Sequence, residues 1–451
     1  MASKNSLNKF YLGYALSYFL IIFGNIALFG NISTKLFLAG ADLLDIMLYL
    51  GFVSVFGLIL AFLAPMLGYI SDKREQGSRR RPYLIFSIVG MALMAVLYYV
   101  SPFNIGFPDL FLNISFFVIL HCIYSFSTMI FYISFHSLYP EMFQNRDSRS
   151  NVIGLLLGFS ALASIIIVLL ETFFNVEEIY FGIIFGLSII LGGILLFKKG
   201  IDEPYLRLSE RPKINEPSSY KILSSSNKLF IWFLIAFIFI TISESLISSS
   251  LNYNWLANLI TIPPPLLEIV TFFMNIVPSV SIIAFLLYWR KLSLSIGIKK
   301  LLKILMLALL SLTVAIIFLS DLISGFILAS LIKIILSGLS FVKWLFLAII
   351  IDHYYLKTGK RREATYYGLN DSFNFISGYI GIILGSLSTV FSVLFVSPFD
   401  EIQIIYFFSK IGLSLIALIF IGISLIIIIR KIPLDRDKYT AIEKEIAERN
   451  T

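Results

Sequence analysis

The 451-residue chain is 58% hydrophobic and 14% charged, and its mean hydropathy is +0.91. This composition excludes a soluble domain, which would expose far more apolar surface than soluble proteins tolerate. The formal charge of +8 comes from residues in short loops beside apolar segments, which favours a membrane surface over nucleic acid. Runs such as Ile231–Ile240 do not alternate apolar and polar residues as β-barrel strands do. We therefore predict an all-α membrane protein, because helices satisfy their own backbone hydrogen bonds in lipid.

Twelve apolar segments approach or exceed the roughly 20 residues that a helix needs to cross the hydrocarbon core. In chain order the predicted spans are 10–30, 46–70, 83–101, 111–139, 152–174, 179–197, 229–252, 264–289, 301–320, 322–351, 365–394 and 403–429. The longest interruption divides them into six and six. We predict an N-terminal six-helix bundle (1–197), a cytoplasmic linker (198–228), a C-terminal six-helix bundle (229–430) and a cytoplasmic tail (431–451).

Basic residues lie in the two termini and in every second loop between the predicted spans. The exceptions among the 35 lysines and arginines are Lys35, Lys333, Lys343 and Lys410, with Lys303 counted with the loop at the very start of the span 301–320. Because short basic loops remain in the cytoplasm, this asymmetry predicts that both termini are cytoplasmic in a multi-pass protein of the cell membrane.

Three loop segments carry recognisable motifs. They read Gly68-Tyr-Ile-Ser-Asp72-Lys73-Arg74-Glu-Gln-Gly-Ser-Arg79-Arg80-Arg81-Pro82, then Ser137-Leu-Tyr-Pro-Glu141-Met with Asp147-Ser-Arg149, then Asp352-His-Tyr-Tyr-Leu-Lys-Thr-Gly-Lys-Arg361-Arg362-Glu363. In order and spacing they resemble the signatures after helices two, four and ten of the major facilitator superfamily. The first and third resemble the glycoside–pentoside–hexuronide group of sugar:cation symporters. The resemblance implies twelve transmembrane helices in two six-helix halves, and a carrier rather than an enzyme.

The charged residues of these segments form a predicted cytoplasmic gate. An aspartate at a helix end accepts hydrogen bonds from a facing helix N-terminus, and neighbouring carboxylates pair with arginines. Expected pairs are Glu141 with Arg149, and Asp352 or Glu363 with Arg361 or Arg362. The alternative is a set of solvated charges that are worth little individually. The gate residues are Gly68, Asp72, Lys73, Arg79, Arg80, Arg81, Glu141, Arg149, Asp352, Arg361, Arg362 and Glu363.

The ligand positions of the sugar:cation symporters are not matched. Where that group places two aspartates before a proline on helix two, this chain has Leu60 and Ala64 before Pro65. The position of a fourth-helix aspartate holds Tyr132. The resemblance therefore implies the scaffold without the cation site of the group. We expect no metal and no cofactor, since the three histidines lack zinc-ligand spacing.

Ionisable and aromatic residues inside the predicted spans supply the candidate site, because charges in a span face a partner or a cavity. We expect the cross-helix pairs Glu244–Lys333 and Lys343–Asp371. For Glu244, a structural ion pair, a solute ligand and a proton carrier all remain open. The candidates for solute binding or coupling are Glu244, Lys333, His121, Asp371, Lys343, Tyr124 and Tyr132.

Three functions remain open. The first is a secondary active transporter that moves a sugar, glycoside or similar small solute by alternating access, with or without proton coupling. The second is a carrier of lysolipids, other amphiphiles or drugs, and the third is a membrane sensor with a transporter fold. The expected partners are the solute, the lipid bilayer and, in the coupled case, protons. We expect no nucleic acid and a monomer.

Overall fold

The computed structural model describes residues 4–29, 43–74, 78–99, 110–143, 145–173, 178–201, 227–259, 264–319, 321–359, 362–396, 402–433, 440–442 and 444–445. Within these ranges the regular structure is helical, without strands. The helix-only pattern follows from the sequence, because long apolar runs in lipid must pair their backbone groups internally.

Twelve long α-helices occupy the described ranges. They are α1 (Lys4–Phe29), α2 (Leu43–Lys73), α3 (Arg81–Tyr99), α4 (Leu110–Met142), α5 (Arg146–Phe173), α6 (Glu178–Leu195), α7 (Lys228–Leu259), α8 (Pro264–Ile296), α9 (Ile298–Ile317), α10 (Leu322–Thr358), α11 (Glu363–Val396) and α12 (Ile402–Lys431). A π-helical turn, Leu196–Gly200, continues α6. Each predicted span overlaps one helix in the same order, and several helices continue past the apolar span into the charged loop residues.

Ten of the described helical segments are long and apolar enough to cross a membrane. The two others differ in composition or length. Helix α1 offers the shorter described apolar stretch Tyr11–Gly24. Helix α11 begins with a polar half that contains Glu363, Thr365, Asn370 and Asp371. Twelve crossings therefore remain a prediction, although twelve helices are present in the described residues.

The chain divides into two compact units. Unit 1 comprises Met1–Tyr220 and Thr358–Ser372, and unit 2 comprises Lys221–Lys357 and Phe373–Thr451. Helix α11 thus contributes residues to both units. The predicted linker falls mostly on residues 202–226, which lie outside the described residues, so its boundaries stay a prediction.

In unit 1, hydrogen bonds from buried side chains to main-chain carbonyls connect α1 to its neighbours. The Ser188 hydroxyl on α6 donates to the Leu20 carbonyl at 2.6 Å. The Tyr14 hydroxyl donates to the Phe135 carbonyl on α4 at 2.8 Å, and the two rings stack at 4.2 Å. In lipid such bonds supply specificity that apolar packing between helices lacks.

In unit 2, small polar residues join α7 to α12. The hydroxyls of Ser243, Ser250 and Ser424 donate to the carbonyls of Ala417, Lys410 and Ala236 at 3.4, 2.9 and 3.1 Å respectively. Serines allow close approach of two helices and provide hydrogen bonds between them. Lys410 is buried, and its ammonium donates to the Leu319 carbonyl just beyond the end of α9. This lysine of a predicted span therefore ties α12 to the C-terminal end of α9.

Candidate functional site

A buried ionic cluster joins the α2–α3 turn to the end of α4 and the start of α11 within unit 1. We name it the Arg80 cluster; its members are Ser71, Asp72, Arg80, Glu141 and Glu363. Arg80 Nη1 donates to Ser71 Oγ at 2.7 Å, and Nη2 donates to Asp72 Oδ1 and Glu141 Oε1 at 2.7 Å each. Glu363 Oε2 lies 4.0 Å from Nη2. Three predicted gate residues, Asp72, Glu141 and Glu363, therefore surround the guanidinium of a fourth, Arg80.

Burial and opposite charge act against each other at Arg80, whose side chain is 0% exposed. Burial lowers the pKa of the guanidinium, but the negative charges of Glu141, Asp72 and Glu363 raise it above its ordinary value. Arg80 therefore remains a cation without contact with water. Removing one partner of such a buried set leaves uncompensated charge, which is strongly destabilising.

Asp72 also caps the N-terminus of α11. Its Oδ2 accepts hydrogen bonds from the Thr365 backbone N–H at 2.8 Å and from the Thr365 hydroxyl at 2.7 Å. Its Oδ1 accepts from the Ala364 N–H at 3.3 Å. The first N–H groups of a helix have no partner in that helix, and a carboxylate there is favoured by the helix dipole. One side chain of α2 thus performs the capping role that a local residue usually has.

Two glycines allow α2 and α11 to approach each other at this cap. A Cβ atom on Gly68 would lie 2.2 Å from the Ala364 carbonyl oxygen. A Cβ atom on Gly368 would lie 2.5 Å from the Ala64 carbonyl oxygen. In both cases the obstructing atom is backbone, so a side chain requires the helices to separate. Gly68 belonged to the predicted gate, whereas nothing in the sequence marked Gly368.

The remaining gate residues occupy different environments. Arg149 Nε donates to the Phe143 carbonyl at 2.6 Å and Nη2 to the Pro140 carbonyl at 3.4 Å, so this arginine caps the end of α4. Arg79, Arg362 and Asp352 are buried, Lys73 and Arg81 are exposed, and Arg361 lies outside the described residues. The expected partners of Asp352 belong to the other unit, so its pairing stays a prediction.

In unit 2, α7 carries a polar stripe that includes Glu244 and several hydroxyl residues. A Cβ atom on Gly381 of α11 would lie 2.5 Å from the Ser245 Cβ, so α7 and α11 are in close contact there. One turn further along α11, a Cβ atom on Gly385 would lie 3.5 Å from the hydroxyl oxygen of Ser249. Glu244 is half-buried beside this contact. Within the described part of the chain, its carboxylate has no hydrogen-bond or ion-pair partner.

The two lysines of α10 differ. Lys343 Nζ donates to Asn374 Oδ1 at 2.6 Å and lies 5.3 Å from the centre of the Phe237 ring. Lys333 is exposed, and no described residue accepts a hydrogen bond from it or forms an ion pair with it. Both lysines lie within electrostatic range of Glu244. Among the described residues, Glu244 and Lys333 do not come within 4.0 Å of each other as a direct ion pair, so their expected cross-helix pairing stays a prediction.

Asp371 belongs to unit 1 and Lys343 to unit 2, so their expected pairing stays a prediction. The structure shows that Asp371 Oδ1 accepts a hydrogen bond from the adjacent Asn370 amide at 3.0 Å. Asn374, the partner of Lys343, lies one helical turn after Asp371. It belongs to the same polar segment of α11 as Asn370 and Asp371.

The other candidates lie on α4 in unit 1. His121 Nδ1 and the Tyr49 hydroxyl of α2 form a hydrogen bond of 2.9 Å. Tyr124 is buried, and Tyr132 is half-buried with its ring 5.1 Å from that of His136. Sequence reasoning missed Tyr49, because its role depends on how α2 packs against α4.

Comparisons with known proteins address the family and the fold. A family model described as MFS/sugar transport protein matches residues 46–436. A comparison with curated proteins found no match. The family model covers most of the chain, from early in α2 to beyond the end of α12.

Solved structures of major facilitator transporters resemble this chain in fold. A bacterial homologue of the iron transporter ferroportin in an outward-facing state has a TM-score of 0.65 at 12% identity, covering 93% of this chain and 98% of that one. The transporter FucP in an outward conformation has a TM-score of 0.60 at 13% identity, covering 92% and 98%. The human organic anion transporter MFSD10 has a TM-score of 0.63 at 12% identity, covering 93% and 100%. These likenesses confirm the predicted all-α major facilitator fold.

Proposed function

The chain belongs to the MFS/sugar transport protein family, and from this membership we propose that it moves a small polar solute by alternating access. The family establishes a membrane transporter with a small-molecule solute. A sugar, a glycoside or a similar hydroxylated compound is the proposed substrate class. The proposal also includes cytoplasmic termini in the cell membrane, as the basic loops predict, and a monomeric carrier.

The capping of α11 by Asp72 is the observation that carries the alternating-access proposal. A carrier opens its solute site to one side at a time, so the contacts that close one side must form and break in each cycle. The cap consists of hydrogen bonds to helix N–H groups, which water can replace when the contact opens. Helix α11 contributes residues to both units. We assign the Arg80 cluster to the gate on the cytoplasmic side.

The polar stripe on α7 and the lysines of α10 support a polar solute. Thr241, Glu244 and Ser248 lie on one side of α7, since residues three and four positions apart share a helix face. Lys333 on α10 adds a cation within electrostatic range of Glu244. A carboxylate and an ammonium group in spanning helices favour a solute with hydrogen-bonding groups over an amphiphile.

Glu244 is also the proposed point of proton coupling. Its carboxylate is half-buried and, among the described residues, has no fixed partner. Solute bound next to this carboxylate would therefore change its affinity for a proton, and protonation would change its affinity for the solute. The proposal does not include sodium coupling of the kind used by the sugar:cation symporters. Leu60 and Ala64 stand where that group has its aspartates.

Reconstitution in liposomes tests the transport proposal. We expect the wild-type protein to take up at least one hydroxylated solute in a saturable manner and to exchange it across the membrane. Asp72→Asn removes the charge that Arg80 and α11 share, so we expect uptake to slow by about tenfold. Asp147→Asn, at an exposed aspartate in the first turn of α5, is the matched control and should leave uptake unchanged.

Uptake no greater than in empty liposomes across sugars, organic acids and amphiphiles would contradict the transport proposal and favour the sensor. Equal uptake by the Asp72→Asn protein and the wild type would remove the α11 cap from the gate.

A further inference from the structure

Helices α3 and α6 of unit 1 each carry a row of exposed apolar residues that ends in an exposed cation. On α3 the row follows Arg81 at four-residue intervals and consists of Ile85, Val89 and Leu93, which are 45%, 59% and 53% exposed. On α6 the row ends one turn before Lys198 and consists of Leu187, Leu191 and Ile194, which are 53%, 56% and 45% exposed. Residues three or four positions apart share a helix face, so each cation lies on the face of its own row.

The two helices pack closely against each other and run in opposite directions. A Cβ atom on Gly193 of α6 would lie 2.8 Å from Cγ2 of Ile88 on α3. A Cβ atom on Gly186, earlier in α6, would lie 2.8 Å from Cγ2 of Val96, later in α3. The absence of side chains on these glycines therefore brings α3 and α6 together over about two turns.

Both apolar rows lie on the same side of this helix contact. Val89 directly follows Ile88 on α3, and Ile194 directly follows Gly193 on α6, so each row is rotated by about 100° from the contact. Because both helices are right-handed and antiparallel, these two rotations point to the same side. The two rows therefore border one apolar groove, which we name the α3–α6 groove.

The α3–α6 groove has the length of one lipid leaflet. From Arg81 to Leu93 the helix rises by about 18 Å, at about 1.5 Å per residue. Half of a hydrocarbon core of about 30 Å is slightly shorter. An acyl chain from one leaflet can therefore follow the groove along its whole length.

Arg81 and Lys198 lie at the same end of the α3–α6 groove. The Arg81 guanidinium lies 5.4 Å from the centre of the Phe197 ring, and Phe197 directly precedes Lys198 in the π-helical turn. A cation over an aromatic face is attracted to the ring, so this contact holds the arginine beside the end of α6. The turn itself is fixed against α1, since a Cβ atom on Gly13 would lie 2.6 Å from the Lys199 carbonyl oxygen.

The charges of these two cations are not balanced by the part of the chain that the structure describes. Neither Arg81 nor Lys198 forms an ion pair with a described carboxylate. Arginine and lysine beside an apolar surface complement a phosphate group, and basic sites between spanning helices bind anionic headgroups. A soluble phosphate would contact only the cations, whereas a phospholipid also covers the apolar rows.

We propose that the α3–α6 groove binds an anionic phospholipid, whose phosphate contacts Arg81 and Lys198 and whose acyl chain lies along the two rows. In the membrane orientation proposed above, this lipid belongs to the cytoplasmic leaflet. The site lies on the outer surface of unit 1 and is independent of the solute that the protein moves.

Native mass spectrometry of the full chain in detergent tests this site, because it counts bound lipids during a titration. We expect the first phosphatidylglycerol to bind about tenfold more tightly than the first phosphatidylcholine. Arg81→Gln combined with Lys198→Gln should lower this ratio to about twofold or less, whereas Arg81→Lys combined with Lys198→Arg should retain it. Val89→Trp, which places a large ring in the groove, should remove the tight phosphatidylglycerol site.

Lys357→Gln is the matched control for the loss of one positive charge. Lys357 is an exposed lysine of α10, and Ile350, two turns before it, is buried, so it does not end an exposed apolar row. This variant should keep the wild-type preference for phosphatidylglycerol, whereas Lys198→Gln alone should reduce that preference by about threefold.

Three results would overturn the lipid site. The first is equal binding of the two lipids by the wild type, or a preference that survives the double charge-removing variant. The second is unchanged phosphatidylglycerol binding by Val89→Trp, which would place the lipid outside the groove. The third is displacement of phosphatidylglycerol by an equal concentration of glycerol phosphate, which would assign the two cations to a soluble phosphate.

Discussion

Arg80 in unit 1 and Lys333 in unit 2 are both cations of a strongly apolar chain, but the protein treats them differently. Arg80 is fully buried and its guanidinium contacts Asp72, Glu141 and Ser71 at 2.7 Å. Lys333 is exposed and, among the described residues, forms no hydrogen bond and no ion pair. A fully satisfied buried charge stabilises the conformation in which its contacts are made, since its removal leaves other charges unpaired. Lys333 lacks such a set of contacts among the described residues, so its charge should contribute little to folding.

The largest effect should follow from Arg80→Ala. This change leaves three carboxylates without their shared cation, and breaking such a buried set costs about 3–5 kcal/mol of unfolding free energy. Denaturant titration in detergent micelles measures the loss. The matched control is Arg81→Ala, at the exposed neighbouring arginine, which should cost far less. Similar losses for the two variants would show that the Arg80 cluster does not behave as a buried set.

A smaller effect should follow from Gly68→Ala at the α2–α11 contact. The added methyl group would meet the Ala364 carbonyl at 2.2 Å, so the helices must separate, at a cost of about 1–3 kcal/mol. Gly154→Ala on α5 is the control, because nothing lies within 4 Å of its added Cβ atom. We expect that control to be neutral or stabilising, as alanine favours a helix over glycine. Thermal unfolding of both variants checks the difference, and equal melting temperatures would contradict the close contact.

The smallest effect on stability should follow from Glu244→Gln, although its functional effect should be clear. The carboxylate has no fixed partner among the described residues, so we expect a change within about 0.5 kcal/mol. Uptake driven by a proton gradient should be lost, whereas solute exchange at equal pH should continue. Uptake assays with and without a pH gradient separate the two processes. Persistent proton-driven uptake in this variant would remove Glu244 from coupling, and Asp147→Asn again serves as the carboxylate control.

The predicted gate residues included four of the five members of the Arg80 cluster, all except Ser71, but their contacts were not all predicted. Asp72, Glu141 and Glu363 were all expected on the cytoplasmic side, but Glu363 was expected to pair with Arg361 or Arg362 in a second network. Glu141 was expected to pair with Arg149, yet the structure places it 2.7 Å from Arg80. The choice between two arginines depends on the angle at which α4 packs against α2 and α3, which motif spacing does not determine.

Within the spans, the sequence located the charges but not their partners. Hydropathy placed Lys333 and Lys343 in one helix, but it did not show that Lys343 has a hydrogen-bond partner and that Lys333 has none among the described residues. The distinction arises because Asn374 of α11 reaches Lys343, and no described residue reaches Lys333. Gly368 was missed for the same reason: its role is visible only when α11 lies against the Ala64 carbonyl. Helix positions follow from local composition, whereas these contacts follow from packing between distant segments.

Counterflow in proteoliposomes tests the central claim most directly. Vesicles loaded with unlabelled solute are diluted into a trace of the same solute in labelled form. The account predicts transient accumulation of label by wild-type protein, slower accumulation by Asp72→Asn, and no accumulation by empty vesicles. Failure of the wild-type protein to accumulate label from any hydroxylated solute, neutral or acidic, would contradict alternating-access transport by this chain.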